Sequence, residues 1–191
     1  MSRQFWSEGL AWATASGTAI AASTTETILF PNVTIPANYM QDGRVLRLRA
    51  FGGYGTTATP TLTIAVRWGG VTGTVLSKSA AATLSTGAGG GASMTALWDL
   101  EVYIQTRVNG SAGSLFTCGN ATVYITAPTA GTVTAYGMPL VLASGSTGGT
   151  TPVAVTADLT ADTALAVTAL WGTNNAANSI QGHLFTVESI N

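Results

Sequence analysis

The sequence predicts an all-β chain folded as an antiparallel β-sandwich of jelly-roll type, with eight to ten strands and an extended N-terminal arm. Three observations carry that expectation. Apolar and polar residues alternate with period two from end to end, and the alternating segments are separated by Gly, Pro, Asn and Asp at turn-like spacing. No stretch of about twelve residues shows helical periodicity. Antiparallel strands with one wet face, in this number, must close or double up to bury their apolar sides, as in a sandwich, jelly roll or barrel. A chain of 191 residues fits one such domain, read here as an N-terminal arm or first strand over 1–22 and a jelly-roll sandwich over 23–191.

Along the chain, Trp6 and Trp12 come first, ahead of the first clear strand. Large apolar groups there imply an arm pinned to something, either a neighbouring subunit or its own sandwich. Strands are expected at 26–30 and 44–51. In "GRVLRLRAF", Leu46, Leu48 and Ala50 face one way while Val45, Arg47, Arg49 and Phe51 face the other. "GGYGTTATP" then reads as a separator. "TLTIAVRWG" sets Leu62, Ile64, Val66 and Trp68 against Thr61, Thr63, Ala65 and Arg67, which predicts a strand buried on one side only.

One or two pieces of strand follow in 74–84. The "GAGGG" tract at 87–91 reads as a flexible turn, because it lacks the Lys-Ser/Thr and the helix that a phosphate loop needs. "ALWDLEVYIQTRV" is the clearest strand, with Trp98, Leu100, Val102 and Ile104 inward and Asp99, Glu101, Tyr103, Gln105 and Arg107 outward. Asn109-Gly110 is a hairpin signal. Further strands are expected at 114–126, 133–142, 152–158, across "TALAVTALWG", whose second face is apolar as well, and at 179–189. A single helical turn at 36–41 or 160–163 is the most helix that the pattern allows.

Only 8% of residues are charged, against roughly a quarter in ordinary domains, and Gly, Ala, Thr and Ser fill much of the rest. A formal net charge of -1 gives copies little mutual repulsion, so this surface suits permanent assembly. A secreted or heat-robust domain with a Thr-rich exterior is the alternative on composition alone. No lysine cluster is present to neutralise a row of phosphates, so nucleic acid is not an expected partner. No run of about eighteen apolar residues predicts a membrane span, and Glu8 with scattered Ser and Thr interrupts any signal-peptide pattern. Cys118 is the single cysteine and cannot form an internal disulfide.

Chemistry-bearing groups are sparse. His183, the one imidazole, is expected to be structural or at the surface, and Cys118 to be a core or interface thiol. Asp99 and Glu101 share a strand face about 6.6–7 Å apart, a spacing that suits two cooperating carboxylates, but cross-strand pairing with outward arginines is the stronger expectation. "DLTAD" offers Asp158 and Asp162 without the pattern of a calcium loop. No catalytic residue, cofactor or metal site is therefore expected. Arg47, Arg49, Arg67 and Arg107, with Trp6 and Trp12, are candidates for subunit contact, where Arg is favoured and carboxylate or carbonyl partners would lie across a chain boundary. Among Tyr39, Tyr54 and Tyr136, Tyr54 in "FGGYGTT" is the candidate platform if the chain binds a glycan.

The run "NVTIPANYMQDGRVLRLRAFGGYGTTATPTLTIAVRWGG", followed by "ALWDLEVYIQTRVNGSAG" and "TADLTADTALAVTALWGTNNAANSIQ", resembles a recurring type of tailed-bacteriophage virion structural protein over residues 32–190. The resemblance implies a jelly-roll module that decorates heads or contributes to fibres, usually as a homotrimer. It carries no functional residue across. Without a stalk, triple-helical repeat or heptads, a short capsid-decorating (cement) module seated on the major capsid protein lattice is favoured over a tail or head fibre domain that binds a host surface glycan. Such a protein would be made in the host bacterial cytoplasm and end on the capsid surface of the virion.

Overall fold

The computed structural model describes residues 7–56, 59–84, 94–129, 132–145 and 151–190, with side chains left out across 125–136. Its strands are β1 (Ser7–Trp12), β2 (Ile20–Ala21), β3 (Thr27–Ile28), β4 (Val33–Ile35), β5 (Val45–Gly55), β6 (Thr61–Trp68) and β7 (Thr74–Lys78) in the first half. The second half holds β8 (Ala82–Thr83), β9 (Ala96–Val108), β10 (Gly113–Thr129), β11 (Thr132–Ala143), β12 (Val155–Ala157), β13 (Thr163–Trp171) and β14 (Ser179–Ile190). No helix occurs among the described residues.

Two antiparallel sheets form a β-sandwich. The large sheet runs β1-β14-β5-β9-β10-β11, with β2 on β14 and β12 on β10. The small sheet runs β3-β13-β6-β7, with β4 on β13 and β8 on β6. The chain crosses from the large sheet to the small one between β5 and β6, and returns between β13 and β14. The last strands thus lie beside early ones, and the fold is closed by pairings distant in sequence.

The core follows from the alternation. Leu46, Leu48, Ala50 and Tyr54 of β5 and Trp98, Leu100, Val102 and Ile104 of β9 meet Leu62, Ile64 and Val66 of β6 and Leu165, Val167 and Trp171 of β13. Each large side chain taken out of water contributes about 1.5–3 kcal/mol. Phe30 stacks on Phe185 at 5.0 Å between ring centres and tilts against Trp98 at 6.3 Å.

β9 spans the residues expected for it and shows the expected faces. The Asn109-Gly110 turn joins it to β10, with Gly110 at φ +116. Residues 7–12 form a strand paired with β14, from Ser7↔Ile190 to Trp12↔Thr186. The segment 36–41 is turned without a helix by hydrogen bonds from Tyr39 N–H to the Pro36 carbonyl and from Gln41 N–H to the Tyr39 carbonyl.

β6 departs from expectation. Thr63 and Ala65 are buried, as are Ala166 and Thr168 beside them on β13. These small side chains are roofed by long neighbours. Arg67 on this face is held by Glu26, which also accepts from the Thr168 hydroxyl, so a charged pair covers part of the second face. Trp6 and the 87–91 tract lie outside the described residues.

Candidate functional site

The outward face of the large sheet gathers most of the exposed large apolar side chains. Register places them in rows across the strands. Leu184, Phe51, Asp99 and Thr122 lie side by side on β14, β5, β9 and β10. In the next row are Trp12, Thr186, Arg49, Glu101, Asn120 and Val141. The following row holds Glu188, Arg47, Tyr103 and Cys118. Trp12 is 66% exposed, Leu97 60% and Leu184 61%, values that single apolar residues reach on any surface but that here adjoin one another.

Two arginines of this face are neutralised within the chain. Arg47 donates to Glu188 Oε2 at 2.6 Å, and Arg49 lies 4.0 Å from Glu101 Oε1. Both are directly opposed cross-strand pairs. With each side chain partly exposed, such a pair contributes about 0.2–1 kcal/mol. The cross-strand pairing that the sequence analysis favours for Glu101 thus occurs with Arg49, and Arg47 likewise has its carboxylate on a neighbouring strand of the same sheet.

Between β14 and β10 the face is hollowed. A bowl of about 390 Å³ is walled by Phe51, Leu97, Trp98 and Leu184, with Asp99, Tyr124 and His183 as its polar members. Tyr124 donates its hydroxyl to Asp99 Oδ2 at 2.6 Å. That hydrogen bond first, and the carboxylate's charge second, raise the phenol's pKa above its ordinary value. His183 stands at a register break between Gly182 and Leu184, a bulge that turns both His183 and Leu184 toward solvent. Its Nδ1 is 2.9 Å from Ser16 Oγ. A second hollow of about 250 Å³ adjoins the first, sharing Phe51 and Leu184 and adding Trp12, Arg49 and Glu188.

Of the candidates from sequence, Trp12, Arg47 and Arg49 come together here, and Arg107 lies at the far end of the same face. Its guanidinium sits 3.8 Å above the Phe116 ring. Arg67 belongs to the other sheet. Its Nε and Nη2 donate to the two Glu26 oxygens at 2.6 Å each, and Nη1 donates to the Gly73 carbonyl at 2.8 Å. Burial works against the Glu26 charge, but hydrogen bonds from Arg67 and Thr168 and the guanidinium's charge outweigh it and hold the pKa below its ordinary value.

Tyr54 requires a correction. It is fully buried on β5 and donates its hydroxyl to the Tyr124 carbonyl at 2.9 Å, so its ring offers no platform to a ligand from solvent. The glycines around it continue the strand instead of ending it. Cys118 is exposed on the outward face and not in the core. Both acids of "DLTAD" have structural partners: Asp158 accepts locally from Thr160 N–H and hydroxyl, and Asp162 accepts from the distant Ala37 N–H. Leu97 and Leu184, missed from sequence, are the apolar members that define the bowl. Leu97 was legible as an apolar residue at a wet position of β9, whereas Leu184 depends on a bulge that no residue type announces.

Neither a protein-family model nor a curated protein sequence matches this chain.

Proposed function

We propose that this chain is a non-enzymatic structural protein of a bacteriophage virion, which decorates and stabilises the capsid as a homotrimer on the major capsid protein lattice. The observation that carries the reading is the outward face of the large sheet, where Trp12, Leu97 and Leu184 are exposed beside ion pairs already neutralised within the chain. Covering such a face gains about 25 cal/mol per Å² of apolar surface, offset by the cost of association and of desolvating its charges. The low charge of the whole chain and the virion-protein resemblance of residues 32–190 support the same reading.

Stabilisation then follows by mass action. A subunit that binds the assembled shell and not its dissociated parts adds RT ln(1 + [L]/Kd), about 2.7 kcal/mol per site at roughly 100 times Kd, and repetition over the lattice multiplies the effect. The alternative, a fibre domain that binds a host glycan, loses its named platform with Tyr54 in the core. The test is to heat heads that lack this chain, with and without the purified chain added back. Restored heat resistance and saturable binding to heads are expected; heads that neither bind the chain nor gain stability would overturn the proposal.

A further inference from the structure

We infer that the outward face of the large sheet packs on the same face of a second copy about a two-fold axis beside Tyr103, so that Arg107 of each copy enters the Asp99 bowl of the other. The inference draws on the same outward face as the proposed function and assigns it to a second copy, which leaves contact with the shell to the other surfaces of the molecule; its test reads self-association and not binding to heads.

Among the described residues, Asp99 and Arg107 are the two charges of the face without an ion-pair partner. Glu26, Glu101 and Glu188 each have a guanidinium within 4.0 Å, whereas among the described residues Asp99 has none and takes a neutral phenol instead. Arg107 likewise has no carboxylate at ion-pair distance among the described residues and rests on the Phe116 ring. Both lie on β9, point to the same side, and stand four residues before and four residues after Tyr103. At about 3.3 Å per residue they are roughly 26 Å apart, beyond reach of each other within one chain.

A two-fold axis lying between the faces, perpendicular to the strands and passing Tyr103, exchanges these two positions. It brings Asp99 of one copy over Arg107 of the other, twice. The same operation keeps each strand over its own image and lays the Leu97 and Phe51 side of the bowl over the Arg107 end of the face, so the bowl receives a side chain that is apolar along its length and cationic at its tip. An axis parallel to the strands would instead set Asp99 on Asp99 and Arg107 on Arg107. Charge complementarity selects the first.

The area is adequate for a specific contact. Of the six strands only β9 and β10 run the whole way from Asp99 to Arg107, since β1 and β14 end near the Val45 row and β11 at the Tyr103 row, so the overlapping strands, about 4.8 Å apart, give roughly 500 Å² in projection. Corrugated side chains expose more than their projection, which brings the face near the roughly 800 Å² per partner of standard interfaces. Packed sheets also stand about 10 Å apart with interdigitated side chains, the spacing that an inserted arginine needs.

Cys118 gives a probe, because it lies in the same cross-strand row as Tyr103 and would face its own image across the axis. Sedimentation velocity of the full chain is expected to show Asp99→Arg and Arg107→Glu each weakening self-association at least about tenfold, through like-charge contact. Mixing the two variants should restore it, since each mixed pair regains both opposite-charge contacts. Far-UV circular dichroism confirms that each variant is folded. On the wild-type chain, a short bis-maleimide should join Cys118 to Cys118, and Arg107→Glu should reduce that product. Single variants that associate like wild type, a mixture that stays dissociated, or a wild-type chain that gives no cross-linked dimer would each overturn the inference.

Discussion

Arg67 and Glu26 form the most enclosed ion pair among the described residues, with side chains 14% and 18% exposed. Removing one partner leaves the other charge half-buried without compensation, so Glu26→Gln or Arg67→Ala should cost about 2–4 kcal/mol, read as a lower urea midpoint. The sign with pH follows from the lowered Glu26 pKa. The carboxylate contributes stability above its unfolded value near 4.5, and that contribution is lost as pH falls through the lower folded value. Urea midpoints measured across that window should drop more steeply for wild type than for Glu26→Gln. Gly52 is a second sensitive residue. A Cβ there would collide with the Gln181 carbonyl and lie 2.6 Å from Trp98 Nε1, in the middle of the large sheet. Gly52→Ala should therefore destabilise by more than about 3 kcal/mol, measurable by the same unfolding curves, because neither backbone nor indole can retreat. From sequence this glycine looked like part of a turn; it is there to let β9 and β14 approach.

The β9–β10 hairpin depends on Gly110, whose φ of +116 favours a residue without a side chain, although open space surrounds it. Gly110→Ala should cost about 1 kcal/mol from backbone strain alone, a much smaller loss than at Gly52 in parallel denaturation experiments. This element was the most legible in the chain, because β9 has one wet and one dry face and its turn is encoded by two adjacent residues. β1 was less so. "SEGLAW" has no alternation strong enough to announce a strand, and its conformation is defined by the edge of β14 that it covers. β6 was located correctly but its burial was misjudged, since Glu26, which holds Arg67 and Thr168 on that face, is distant in sequence. The outward face was half legible: the arginines marked it, while the carboxylates opposite them and the bulge at His183 depend on register between strands.

At the scale of the molecule, two antiparallel sheets and a continuous core follow from the period-two pattern, whereas which strands become neighbours does not, because β5 with β14 and β6 with β13 are joined only through the whole fold. What the sandwich leaves over is an apolar outer face on a chain with few charges. Leu97→Glu with Leu184→Glu should leave stability within about 0.5 kcal/mol per site, since both side chains are largely exposed, while abolishing binding to heads or to other copies. A thermal melt and a binding assay on the same preparation separate the two effects. The central claim is that this face is covered in the assembled particle. Electron cryomicroscopy of heads carrying the chain tests it most directly: the account predicts regular density on the head with Trp12, Leu97 and Leu184 occluded by a neighbouring copy or by the shell, and a decorated head in which that face looks onto open solvent, or density confined to the tail, would contradict it.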